Sequence, residues 1–137
     1  MLLLLSALSA QADNGVTVTV NVRGAANDTG TVMCQVFRSA DGFPTDDPKA
    51  TAYAASLIHG GAATCTFTAQ GPGRIAIAAY HDENANTRLE TNLLGMPAEG
   101  YGFSNGAKAG YFGPPAWEDA AVAVGGSPVT LSLELTK

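Results

Sequence analysis

The sequence predicts an all-β fold, an antiparallel β-sandwich of six to seven strands carrying one long acidic loop, and three observations predict it. Apolar and polar residues alternate without a break along Val16-Thr17-Val18-Thr19-Val20-Asn21-Val22, the period of a strand with one face in a core. Glycine- and proline-rich turn clusters recur about every 8–12 residues. The long helical runs that a parallel α/β fold needs between its strands are missing.

Each element follows from local chemistry. Asn27-Asp28-Thr29-Gly30 is turn chemistry, and Thr31 to Phe37 is the next strand, so the first two strands are expected to form an antiparallel pair. Asp41 to Lys49 is a long loop in which Asp47 before Pro48 suits the start of a short helical turn. Tyr53 to Ile58 is open between helix and strand. Gly60-Gly61 turns the chain into a strand over Ala63 to Thr68, and Gln70-Gly71-Pro72-Gly73 turns it again into Arg74 to Tyr80. That second turn has the glycines of a phosphate loop, but no Lys-Ser/Thr follows them, so a plain β-turn is expected. Ala120 to Val124 and Val129 to Leu135 close the chain as two more strands around Gly125-Gly126-Ser127-Pro128.

The chain has 137 residues, the size of one domain able to bury a core of its own. Residues 1–12, MLLLLSALSAQA, have the apolar stretch and the Ala10-Gln11-Ala12 ending of a secretory signal peptide. They lack a basic start, so the true signal begins earlier or the segment is instead a disordered or membrane-touching terminus. Residues 13–137 are then a single exported domain, periplasmic or extracellular. A membrane-spanning helix needs roughly 20 consecutive apolar residues, and no such run exists in the sequence. The net charge of −5 and seven scattered basic residues exclude a nucleic-acid surface, which clusters Lys and Arg against phosphates.

Cys34 and Cys65 both stand at inward positions of alternating strands. In an oxidising compartment they would form a disulfide closing a loop of about 30 residues, worth roughly 3–4 kcal/mol. Two buried thiols on strands too far apart to join are the alternative. No Cys-x-x-Cys spacing points to redox chemistry.

The most informative stretch is Tyr80 to Asn105. Asp82, Asn84, Asn86 and Glu90 alternate along a strand-exit loop, and with the carbonyl of Arg88 they form a candidate Ca²⁺ ligand set of hard oxygen donors. An EF-hand is excluded, because Thr87 and Leu93 stand where such a loop needs a glycine and a bidentate glutamate. Glu83 or Glu99 would complete the shell. The same residues can cap their own turn through side chain to backbone hydrogen bonds, so both readings stand. His81 is adjacent to Asp82 on a strand, where neighbours point to opposite faces, so it is expected to have a structural role with its ring hydrogen-bonded to a loop carbonyl. Two histidines and no spaced Cys/His set argue against zinc.

Glu99, Tyr101, Phe103 and Trp117 are candidate ligand-binding residues. Tyr101 and Phe103 sit among glycines in Gly100-Tyr101-Gly102-Phe103-Ser104-Asn105, where they either stack on a sugar ring or peptide or pack the long loop onto the sheets. Tyr111, Phe112 and Trp117 follow in a proline- and glycine-rich connection toward the same end.

This stretch resembles the exported bacterial family catalogued as DUF2141. The resemblance runs through His81, Asp82, Asn84, Asn86, Leu89, Gly95, Pro97, Glu99, Gly100, Tyr101, Gly102, Phe103, Ser104 and Asn105. It implies an exported sandwich of the prealbumin or immunoglobulin type and brings no established activity. Two positions depart from the family pattern: Thr87 replaces a glycine and Glu90 an aspartate. A β-branched residue at a positive φ costs on the order of 1 kcal/mol or more, which would loosen the loop and weaken metal binding.

Three classes of function fit these residues. An exported non-catalytic module, stabilised by calcium and binding a glycan or an envelope protein, explains the acidic loop, the aromatics and the missing catalytic set. A small glycan hydrolase would use Glu83, Glu90 and Glu99 as paired carboxylates, although small sandwiches rarely do so without a deep cleft. A purely structural envelope protein would have no ligand at all.

Overall fold

The structure, a computed structural model, describes residues 15–84, 100–110 and 113–136. The signal segment and Tyr111 and Phe112 lie outside the described residues. Among the described residues, eight strands form two sheets: β1 (Gly15–Arg23), β2 (Thr31–Phe37), β3 (Ala52–Leu57), β4 (Ala63–Gln70), β5 (Gly73–Asp82), β6 (Tyr101–Phe103), β7 (Val122–Val124) and β8 (Val129–Glu134). A three-stranded sheet runs β4-β1-β8, and a five-stranded sheet runs β3-β2-β5-β6 with β7 also on β5. Among the described residues, no helix is long and apolar enough to cross a membrane.

The alternation in β1 and β4 is spent as expected. Val16, Val18, Val20 and Val22 point inward, as do Ala63, Cys65, Phe67 and Ala69, while the residues between them face out. They meet Val32, Cys34, Val36, Ile75, Ile77 and Ala79 from β2 and β5 in one shared apolar core. Cys34 and Cys65 are joined across this core, Cα to Cα 6.5 Å, so the disulfide ties the five-stranded sheet to the three-stranded one.

β2 and β5 are buried along both faces, because a second core covers the outer side of the larger sheet. Phe37, Ala76, Ala78 and Phe103 pack there against Trp117 and Ala120 of the short helix α1 (Trp117–Ala120), with Phe43 alongside. Phe37, Phe43, Phe103 and Tyr101 form a row of edge-to-face contacts with centroids 5.5, 5.9 and 5.7 Å apart. Such pairs contribute about 0.5–1.5 kcal/mol each beyond their burial. The Trp117 indole N–H donates to the Phe37 carbonyl at 2.9 Å, and the Arg74 guanidinium lies over the Trp117 ring while pairing with Glu118.

Several expectations are corrected. β1 and β2 do not pair: β1 joins β4 antiparallel and β8 in parallel, so the molecule is not antiparallel throughout. The connection from Gly24 to Gly30 is too long for a tight hairpin turn, and it arches from one sheet to the other, across the roughly 10 Å that separates packed sheets. Tyr53 to Ile58, left open above, is mostly strand β3 on the free edge of the larger sheet. β6 forms inside the segment read as loop, and the run from Ala120 begins as helix, with the strand confined to Val122–Val124. A 3-10 turn does form at Asp47–Lys49.

Candidate functional site

β5 carries the chain into the oxygen-rich stretch. Its register against β2 pairs Val32 with His81 and Thr31 with Asp82, so His81 faces the core between the sheets and Asp82 the outer side. The two cannot act as a dyad. The His81 ring is buried, and its Nε2 lies 2.7 Å from the Thr29 carbonyl oxygen. A carbonyl only accepts, so Nε2 carries the proton and donates it. This is the structural role expected from the sequence.

Residues 27–30 clamp the start of the loop. The Thr29 N–H donates to Asn27 Oδ1 at 2.9 Å, and Asn27 Nδ2 donates to Glu83 Oε1 at 3.3 Å. Gly30 sits at φ 76°, and a Cβ there would collide with the carbonyl oxygens of Asp82 and Glu83, so only glycine lets the arch lie this close. Beside it, the Asp28 carboxylate accepts the N–H groups of Gly61 and Gly60 at 2.9 and 3.0 Å. The Gly61 hydrogen bond, then that of Gly60, hold its carboxyl below the usual carboxylate range, with a smaller contribution from His59.

Of the candidate calcium ligands, Asp82 is fully buried at the end of β5 and Asn84 is exposed two residues on. Asn86, Arg88 and Glu90 lie outside the described residues, as does Glu99. Among the described residues, no three His, Cys, Asp or Glu side chains gather into a metal-sized group. Of the carboxylates considered for hydrolysis, Glu83 is half-buried beside Asn27, and Glu90 and Glu99 are not described.

The aromatic candidates separate. Phe103 and Trp117 are buried in the second core. Tyr101 is half-buried at the end of the aromatic row, where its N–H and carbonyl exchange hydrogen bonds with Thr136, both at 2.8 Å. This bridge stitches β6 to the residues after β8, and with them one sheet to the other. Beside it opens a cavity of about 310 Å³ lined by Arg23, Tyr101, Lys108, Ser132, Glu134 and Thr136, among others. Arg23, Lys108 and Glu134 carried no signal in the sequence, since they come from three distant segments that only the parallel β1–β8 pairing and the loop after β6 bring together.

The remaining residues of the aromatic segment build the fold. β6 pairs Ala78–Tyr80 and β7 pairs Gly73–Ile75 along one side of β5, which leaves the Ile77 N–H between them. Ser104 Oγ accepts it at 2.8 Å and donates to the Ala120 carbonyl at 2.6 Å. Asn105 adopts φ 59°, the left-handed region asparagine tolerates, and its Nδ2 donates to the Asp119 carbonyl at 3.0 Å.

A family model described as "Uncharacterized protein conserved in bacteria (DUF2141)" matches residues 20–132. The chain belongs to this family. The match takes in strands β2 to β7 of this DUF2141 chain whole, with the last four residues of β1 and the first four of β8, and it includes both cysteines and the segment around Ser104. Comparison of this DUF2141 chain with curated proteins and with solved structures yields no match.

Proposed function

We propose that this protein is a non-catalytic module exported to the periplasm or the cell exterior, a β-sandwich of the prealbumin or immunoglobulin type that binds a glycan or an envelope protein and is stabilised by Ca²⁺. The observation that carries the binding role is Tyr101, a half-buried aromatic lining a cavity of about 310 Å³. That volume is at the lower end of the range for small-molecule sites. The joined cysteines support export, because disulfides persist in oxidising compartments. Calcium is supported by the hard-oxygen chemistry of Asp82 and Asn84 where β5 ends, with Asn86, the Arg88 carbonyl and Glu90 as the further ligands of the long acidic loop.

Two measurements test the two halves separately. A ligand that binds only the folded state raises its stability, by about 2.7 kcal/mol at a hundred times its Kd. Melting temperature should therefore rise with millimolar calcium, fall with chelator, and respond less in Asn84→Ala, whose exposed side chain can be removed without opening the core. Equal melts in every condition would dispose of the metal. A glycan and peptide array should show binding by the parent that is weakened in Tyr101→Ala. A ligand-free structural envelope protein is the second reading, favoured by Ser104, Asn105, Phe103 and Trp117 being committed to the fold, and it predicts an empty array.

A further inference from the structure

We infer that the cavity where β6 meets β8 is a site for an acidic sugar, a pyranose unit carrying a single carboxylate, which rests on the binding module proposed above and names its ligand class. Five basic residues lie among the described ones. Lys49 pairs with Asp41 and Arg74 with Glu118. Arg23, Arg38 and Lys108 make no ion pair among the described residues, and two of these three, Arg23 and Lys108, line this one cavity, in a protein whose net charge is −5. A guanidinium and an ammonium at one opening suit a carboxylate, to which arginine can donate two parallel hydrogen bonds.

The rest of the lining suits a sugar rather than a bare anion. Ser132 and Thr136 contribute hydroxyls, and Glu134 contributes a carboxylate that accepts from hydroxyl groups but repels a multiply charged ligand. The Tyr101 ring, which meets Phe103 edge to face, brings an apolar aromatic surface suited to a pyranose. Its backbone is fixed on both sides, by β5 and by the Thr136 bridge, so this surface is positioned before any ligand arrives.

The test is an amide NMR titration of the folded protein with three probes: a trimer of galacturonic acid, the uncharged galactose trimer, and inorganic phosphate. The acidic trimer should give saturable shifts confined to residues around Tyr101, Lys108, Ser132 and Thr136. Losing one charge-assisted contact should weaken binding about tenfold or more, so Arg23→Gln and Lys108→Gln should each do so without lowering the melting temperature. The galactose trimer should bind the parent weaker by a similar factor, and phosphate should not compete at equal concentration. Shifts at the cavity that are the same for charged and uncharged trimers overturn the acidic class while leaving the binding module standing. Phosphate binding as tight as that of the acidic trimer overturns the sugar. Absence of any cavity shift overturns the inference, and the module itself falls only if the glycan and peptide array is also empty.

Discussion

Ser104 shows how much one hydroxyl can hold. Its oxygen accepts the Ile77 N–H that falls between β6 and β7, and its proton goes to the Ala120 carbonyl, all in a fully buried position. A buried donor left without an acceptor costs about 1–3 kcal/mol. Ser104→Ala should lower the urea-unfolding free energy by that amount with an unchanged m-value, whereas a change below about 0.5 kcal/mol would mean that water replaces the hydroxyl. Asp28 makes the opposite case, at the surface. Its carboxyl is held below its ordinary value of 3.8 by the Gly61 and Gly60 hydrogen bonds, so its folded-state pKa is the lower one. The carboxylate therefore contributes stability above the unfolded pKa and loses it as pH falls through the folded one. The stability gap between parent and Asp28→Asn should be full near neutrality and close below about pH 3.8; a gap that persists into strong acid would show that the carboxylate charge does not matter.

At the scale of elements, the sequence revealed those that obey a period and hid those that depend on distant partners. β1 and β4 alternate cleanly, and their inward and outward residues were legible one by one. The pairing of β1 was not, because alternation says which face is buried and nothing about which neighbour lies alongside. β6 was hidden for a different reason. Three residues are too few to show a period, and this strand exists because Tyr101 is held by Tyr80 on one side and Thr136 on the other. The ambivalence of the aromatics has the same source: Tyr101, Phe103 and Trp117 are identical in kind as sequence, and only the fold buries Phe103 and Trp117 in the second core while leaving Tyr101 half-buried against it. Gly102 sits within β6 where a Cβ would meet the Glu134 carbonyl oxygen and the Leu133 side chain. Gly102→Ala should push β6 off β8 and cost about 1–3 kcal/mol, the usual effect of overpacking. Hydrogen exchange at the Tyr101 and Thr136 amides should speed up selectively, and unchanged protection there would show that the contact is not what demands glycine.

For the whole molecule, the decisive feature is how its two sheets are joined. The Tyr101–Thr136 bridge closes one side and the Cys34–Cys65 disulfide crosses the middle, while the valines of β1 and the isoleucines of β5 fill the space between. The disulfide spans 31 positions, and a loop of that size removes enough unfolded-state freedom to contribute roughly 3–4 kcal/mol in the chain-entropy description. That is a large share of the 5–15 kcal/mol or so by which a typical domain is stable. The apolar core surrounds the bond on every side, however, so its removal takes away a constraint on the unfolded chain rather than the reason to fold. The double variant Cys34→Ala, Cys65→Ala should therefore remain folded at room temperature with the same two-sheet circular dichroism, but unfold at a distinctly lower urea concentration, and the parent treated with reductant should shift toward the same midpoint. A double variant that is unfolded in buffer would show that the core cannot hold the sheets together alone, and one with an unshifted midpoint would show that the bond adds no stability to the fold.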